Sequence, residues 1–236
     1  MIGILGGMGT QAGLDFCNKL AMLNRGKIDQ KYPLFILYNK SNIPGRPENL
    51  HKYNKVLKSL IAGCLLLQKS QCKFIVIPCN TAHYWHKDLQ KKIKIPIISM
   101  PKEVYLHAKS NCKKNSRIGI LATEGTLQTN VYNKFFYKKF KLISPKKTLQ
   151  IKNVNKAIKY VKMGKIKNAE KAIKPAINYL IKMKCKKIIL GCTELPIAIF
   201  AFKSFKKIKL SKVFLDPNLI LAIASMKKYK NLRVDV

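Results

Sequence analysis

Two segments far apart in this chain read as copies of one another, and an internal duplication restricts the fold more than any single motif, because each copy must bury the same hydrophobic pattern. Lys73-Phe-Ile-Val-Ile-Pro-Cys79-Asn-Thr81 is matched by Lys187-Ile-Ile-Leu-Gly-Cys192-Thr193. In each, a run of branched apolar residues ends in Pro or Gly, then Cys, then small polar residues, which reads as a buried strand releasing a thiol at its C-terminal tip. A second pair agrees: Ile2-Gly-Ile-Leu5 recurs as Ile118-Gly-Ile-Leu121, and Gly9-Thr10 recurs as Gly125-Thr126. The offsets, 116 residues for this pair and 113 for the cysteines, differ by a small deletion.

A chain of 236 residues accommodates two compact lobes of about 100 residues each. Strand and helix patterns alternate along both, which predicts α/β lobes built on mostly parallel sheets flanked by helices. The expected first lobe comprises residues 1–99 with 210–236, and the second residues 100–209. In the first, strand 2–5 leads through a Gly-rich turn into helix 11–24, followed by strand 34–38, a loop to Pro47, helix 49–69, strand 73–77 and strand 95–99. In the second, helix 101–110 precedes strand 117–121, a loop over 122–126, helices near 127–138, 153–163 and 166–183, and strand 187–190. Strand 213–215 then feeds helix 217–229, opened by Asp216 as N-cap and Pro217 at the first helical position and expected to return to the first lobe.

The formal charge of +37 raises nucleic acid and anionic membranes as partners. Composition argues against both. Only four of the 47 basic residues are arginine (Arg25, Arg46, Arg117, Arg233), and the lysines are spread along the whole chain, as compositional bias produces and a recognition patch does not. The longest apolar runs, such as Leu60–Leu67, are too short to span a bilayer, and no cleavable leader is evident at the N-terminus. Seven cysteines without paired spacing suit reduced thiols, so a cytoplasmic protein is expected, with neither a membrane nor a dedicated nucleic-acid partner.

Gly7-Met8-Gly9-Thr10-Gln11-Ala12 formally matches a dinucleotide-binding fingerprint, but the next strand ends in Tyr38-Asn39-Lys40 without the acidic residue that would hold a ribose. The turn is better suited to offering N–H groups to a small anion such as a carboxylate. Cys79 and Cys192 each stand where a strand ends and a helix begins, a setting expected to lower a thiol pKa. His83 and His86 lack a companion cysteine or carboxylate cluster, so no metal site is expected. Two thiols in matched settings suit proton transfer at a carbon from opposite faces, one thiolate removing a proton and the other thiol returning one.

At these residues the chain resembles the aspartate/glutamate racemase family, cofactor-independent enzymes with two catalytic cysteines. The resemblance rests on Gly6-Gly7-Met8-Gly9, Ile43-Pro44-Gly45-Arg46, Pro78-Cys79-Asn80-Thr81-Ala82-His83 and Gly191-Cys192-Thr193-Glu194-Leu195-Pro196, which fall in order over nearly the whole length. Within the family it is more similar to aspartate than to glutamate racemases, which usually open with an Asp-Ser-Gly turn and carry His where Glu194 stands. The resemblance implies two lobes in pseudo-twofold relation with the site between them, a homodimer, Cys79 and Cys192 as catalytic residues, and no cofactor. It also implies that Arg46 pairs a substrate carboxylate, that Asn80, Thr81 and Ala82 line its cradle, that Lys162 supplies a second cationic contact, and that Met8, Thr126, Thr193 and Glu194 contact the amino-acid substrate. Lys40 and Gly45, where acidic residues are common in the family, leave the substrate side chain open. Glutamate racemase, maleate isomerase, or a non-catalytic ligand- or nucleic-acid-binding protein are the alternatives.

Overall fold

The computed structural model describes residues 1–23, 28–200 and 213–234. The chain divides into two compact units, Met1–Glu103 with Asn218–Val236, and Val104–Pro217. Each unit is an α/β layer structure around a four-stranded parallel sheet.

The first sheet contains β1 (Ile2–Gly6), β2 (Phe35–Asn39), β3 (Phe74–Val76) and β4 (Ile97–Ile98), in the order β2-β1-β3-β4. Alternating side chains of a strand point to opposite faces, and both faces here are apolar. Leu5, Ile75 and Ile77 pack against Val56, Leu60, Cys64 and Leu67 of helix Tyr53–Lys69, while Ile2, Ile4, Phe74 and Val76 pack against Phe16 and Leu20 of helix Thr10–Leu23 and Leu221, Ala222 and Met226 of helix Pro217–Val234. Each such fully buried side chain contributes about 1.5–3 kcal/mol. Cys64 belongs to this apolar core, and burial pushes its thiol pKa up to about 12.

The second sheet repeats the plan with β5 (Arg117–Ala122), β6 (Lys141–Ile143), β7 (Lys187–Gly191) and β8 (Phe214–Leu215), in the order β6-β5-β7-β8. Taking β5 for β1, β6 for β2, β7 for β3 and β8 for β4, the two sheets have one topology, as a duplicated chain requires. Ile188 and Leu190 of β7 face Ile173, Ile177 and Leu180 of helix Ile166–Lys182.

Four expectations need correction. β6 is a strand the sequence pattern did not reveal: it is a short edge strand whose first residue is an exposed lysine, so period-two alternation has no room to show. The stretch expected as a loop over 122–126 already contains helix Glu124–Gln128, because the Thr123 side chain caps it by accepting from Thr126 N at 3.2 Å. The expected helix 127–138 is broken around Asn130 (φ 51) into the end of helix Glu124–Gln128 and the short helix Asn133–Phe136. Residues 213–217, assigned above to the first lobe, belong to the second unit, because β8 completes its sheet against β7. Residues 210–212, like Lys203–Lys209, lie outside the described residues.

The turn after β1 depends on one glycine. Gly7 has φ +89, and a Cβ there would lie 2.2 Å from the Lys40 carbonyl carbon and 2.3 Å from its oxygen. Gly7→Ala should therefore cost roughly 2 kcal/mol or more, combining a strained backbone with displacement of the 39–41 segment, and should appear as a lowered midpoint in urea unfolding.

Candidate active site

In the first unit, β3 runs through Ile77 and Pro78 to Cys79. Pro78 fixes φ near −65°, and Cys79 N donates to Ile77 O at 2.7 Å, a tight turn that takes the chain out of the strand at the cysteine. A 3-10 turn, Thr81–Trp85, follows and continues into helix His86–Lys92. Cys79 is 6% exposed, and Asn80, Thr81 and Ala82 beside it are buried. The turn is fastened from behind. The fully buried Trp85 donates its indole N–H to Tyr53 O at 3.1 Å, and Tyr53 donates its hydroxyl to Asp88.

His83 clamps the cysteine backbone. Met100 N donates to His83 Nε2 at 3.0 Å, so that nitrogen carries the lone pair, and the proton on Nδ1 is donated to the Cys79 carbonyl at 2.9 Å. The imidazole is thus used as a neutral structural link rather than a metal ligand, and among the described residues no group of three His, Cys, Asp or Glu side chains is placed to hold a metal ion. The motif around Cys79 drew attention to the histidine without revealing this role; the partners Met100 and Cys79 are brought together only by the fold.

Arg46 and Met8 meet in the same unit. Arg46 Nη1 donates to Ile43 O at 3.2 Å and Pro44 O at 2.9 Å, and Nη2 donates to Met8 O at 3.0 Å, which ties the 43–46 loop to the turn after β1. The guanidinium has five N–H donors, and Nε is buried without an acceptor among the described residues. An unmatched buried donor costs about 1–3 kcal/mol, so this edge of the guanidinium is chemically prepared for an acceptor.

In the second unit, β7 ends at Gly191 and delivers Cys192, which is also 6% exposed. A Cβ at Gly191 would lie 3.0 Å from Ala122 Cβ on β5, so close strand packing calls for glycine where the other copy has proline. The Cys192 thiol donates to Glu194 Oε2 at 2.9 Å, and the Thr193 hydroxyl reaches the same oxygen at 3.4 Å. Burial, and after it the negative charge and side-chain hydrogen bond of Glu194, raise the Cys192 pKa well above its ordinary value; the Glu194 backbone hydrogen bond and, more weakly, Lys162 at the exposed end of helix Lys156–Lys162 offset part of this. The lowered pKa expected from a helix N-terminus is therefore not found at Cys192: the helix that follows, Leu195–Phe200, is short, and desolvation and a carboxylate outweigh it. Thr126 is buried at the tip of β5, its hydroxyl 3.1 Å from that of Thr123.

Within the first unit, then, Met8, Arg46, Cys79, Asn80, Thr81 and Ala82 come from the C-terminal ends of β1, β2 and β3; within the second, Thr126, Lys162, Cys192, Thr193 and Glu194 attend the ends of β5 and β7. This is the edge at which parallel α/β sheets bind ligands.

Comparison with known proteins gives a consistent result. The sequence model of the Asp/Glu/hydantoin racemase family matches residues 5–222. A broad specificity amino-acid racemase of Bacillus subtilis, RacX, is 27% identical over 202 residues, 83% of this chain and 86% of that protein. The aspartate racemase of Picrophilus torridus superposes with a TM-score of 0.82 at 28% identity, covering 97% of this chain and 94% of that one. A glutamate racemase of Corynebacterium diphtheriae is 26% identical over 161 residues, 66% of this chain and 57% of that protein.

Replacing His83 by Phe removes an acceptor from Met100 N and a donor from Cys79 O, both at buried residues. The expected loss of stability is roughly 2 kcal/mol or more, read from urea unfolding, with His86→Phe costing less because the His86 bond to Ile97 O, at 2.9 Å, lies in a partly buried position.

Proposed function

Because the chain belongs to the Asp/Glu/hydantoin racemase family, we propose that it interconverts L- and D-aspartate, with glutamate as a poorer substrate, by proton transfer at Cα between the thiols of Cys79 and Cys192 and without pyridoxal phosphate. The observation that carries this reading is the recurrence of a buried cysteine at the C-terminal tip of the equivalent strand in two sheets of one topology. The likeness to an aspartate racemase at 28% identity supports the choice of aspartate. A broader amino-acid range is the second reading, favoured by the likeness to RacX and by Lys40 and Gly45 in the loop after β2.

In the proposed reaction, one cysteine as thiolate takes the Cα proton while the other, as thiol, gives its proton to the opposite face; the electron pair of the broken C–H bond forms the new one. The enzyme is left with its two thiols in exchanged protonation states, so the reverse reaction uses the same groups. The buried Nε–H of Arg46 would find its acceptor in a substrate carboxylate, with the Asn80–Ala82 turn beside it, and Lys162 would supply a second positive charge. Met8, Thr126 and Thr193 would line the substrate.

Cys79→Ser and Cys192→Ser should each reduce racemisation of aspartate by roughly 100-fold or more, since a hydroxyl cannot replace a thiol in either half of the transfer. Racemisation near the wild-type rate in either variant would remove that cysteine from the mechanism. Arg46→Ala should lower kcat/KM for aspartate by about two orders of magnitude, as expected when a desolvated carboxylate loses its cation. Activity should be insensitive to hydroxylamine and chelators and be lost on thiol alkylation, more slowly when aspartate is present; a requirement for added pyridoxal phosphate would refute the mechanism.

A further inference from the structure

The two cysteine copies differ at one chemically decisive place. Two residues after Cys192 stands Glu194; two residues after Cys79 stands Thr81. The Cys192 thiol and the Glu194 carboxylate are both buried, 6% and 7% exposed, and are joined by a 2.9 Å hydrogen bond in which sulfur donates. The Thr193 hydroxyl approaches the same carboxylate oxygen at 3.4 Å. Cys192 belongs to a buried apolar cluster that includes Val154, Ala157, Ile158, Leu195 and Ile199, and the Lys162 ammonium acts on the thiol with a smaller effect of opposite sign. A thiolate at Cys192 would lie against a carboxylate in a desolvated setting, the arrangement in which like charges oppose ionisation most strongly.

We infer that Glu194 is a positioning residue that keeps the proton on Cys192, so that the first proton lost by the two-cysteine pair comes from Cys79. Resting on the racemase reading, this gives the enzyme a dominant form, Cys79 thiolate with Cys192 thiol, and a minor form with the roles exchanged. The enantiomer whose proton is removed by Cys79 binds the dominant form. Turnover of that enantiomer leaves Cys192 as thiolate beside Glu194, and this form relaxes by exchanging protons with water, so no net proton is consumed. Because the two enantiomers have equal free energies, kcat/KM must be the same in both directions whatever the bias. The bias is confined to the individual constants: the enantiomer bound by the dominant form has the lower KM and, in proportion, the lower kcat, because the other must bind a form present as a small fraction.

The test is the rate at which iodoacetamide modifies each cysteine, resolved by peptide mass spectrometry between pH 6 and pH 10, in the wild type and in E194Q. Both residues are 6% exposed, and comparing each cysteine with itself in wild type and E194Q cancels any difference in access between the two sulfurs. In the wild type, Cys79 should react first. In E194Q, which keeps the side-chain volume and an acceptor for the Cys192 thiol but removes the charge, Cys192 should react about tenfold faster or more at pH 7.5, with its midpoint moved to lower pH and the Cys79 rate within about twofold of the wild type. K162M, a change at an exposed position, should do the reverse and slow Cys192. The ratio of KM for L- and D-aspartate should also move toward one in E194Q while kcat/KM stays equal in both directions. Wild-type protein in which Cys192 reacts first, or an E194Q protein in which Cys192 reacts no faster, would overturn the inference. Alkylation needs no turnover, so the expected rates in a protein that does not racemise aspartate would uphold the role of Glu194 and reject the racemase reading instead.

Discussion

A parallel sheet covered by helices on both faces has no room for polar groups except at its edges, and this constraint organises both units. In β1 and β3 the alternating side chains, Ile2 and Ile4 against Leu5, Phe74 and Val76 against Ile75, are spent on two separate apolar clusters. The residues that can carry chemistry are therefore those just beyond the strands, where the backbone leaves the sheet and its N–H groups lack ladder partners. Gly6-Gly7-Met8, Cys79-Asn80-Thr81, Ala122-Thr123 and Cys192-Thr193-Glu194 all begin at such places.

The same placement is reached by different local means, which shows what is being maintained. At Cys79 a proline turns the chain out of the strand; before Cys192 the strand ends on a glycine, where a Cβ would crowd Ala122 of β5. The first cysteine is held through its carbonyl by a neutral imidazole, the second through its sulfur by a carboxylate. The common element is a buried thiol at a strand tip, and the differing elements are the groups that hold it.

Much of this was legible in the sequence because it is written in short-range pattern. The strands β1, β3, β5 and β7 are buried apolar runs closed by Gly or Pro, and the duplicated cysteines marked the strand ends on which the two sheets agree. β6 was not legible, since three residues beginning with an exposed lysine carry no period, although the topology shared with β2 requires a strand there. The helix over Glu124–Gln128 was missed because its signal is a single capping hydroxyl, Thr123. The lobe boundary expected at 209/210 put β8 with the first lobe, because β8 has two residues and takes its identity from pairing with β7 rather than from its own composition. For the site, residue types and order offered Arg46, Cys79 and Cys192 as candidates, but could not reveal the buried Nε of Arg46, the His83 clamp or the direction of the Cys192 shift. Those depend on distances between groups separated along the chain and on how much water reaches them.

The central claim is that two different groups handle the proton on the two faces of Cα, and isotope transfer from solvent addresses it directly. L-aspartate incubated with the enzyme in deuterium oxide should give D-aspartate that carries deuterium at Cα from its first appearance, while the recovered L-aspartate keeps its original hydrogen through the initial phase, because the thiol that takes the proton is not the thiol that returns one. Deuterium entering recovered L-aspartate as fast as D-aspartate forms would mean that one group serves both faces, and would contradict the account.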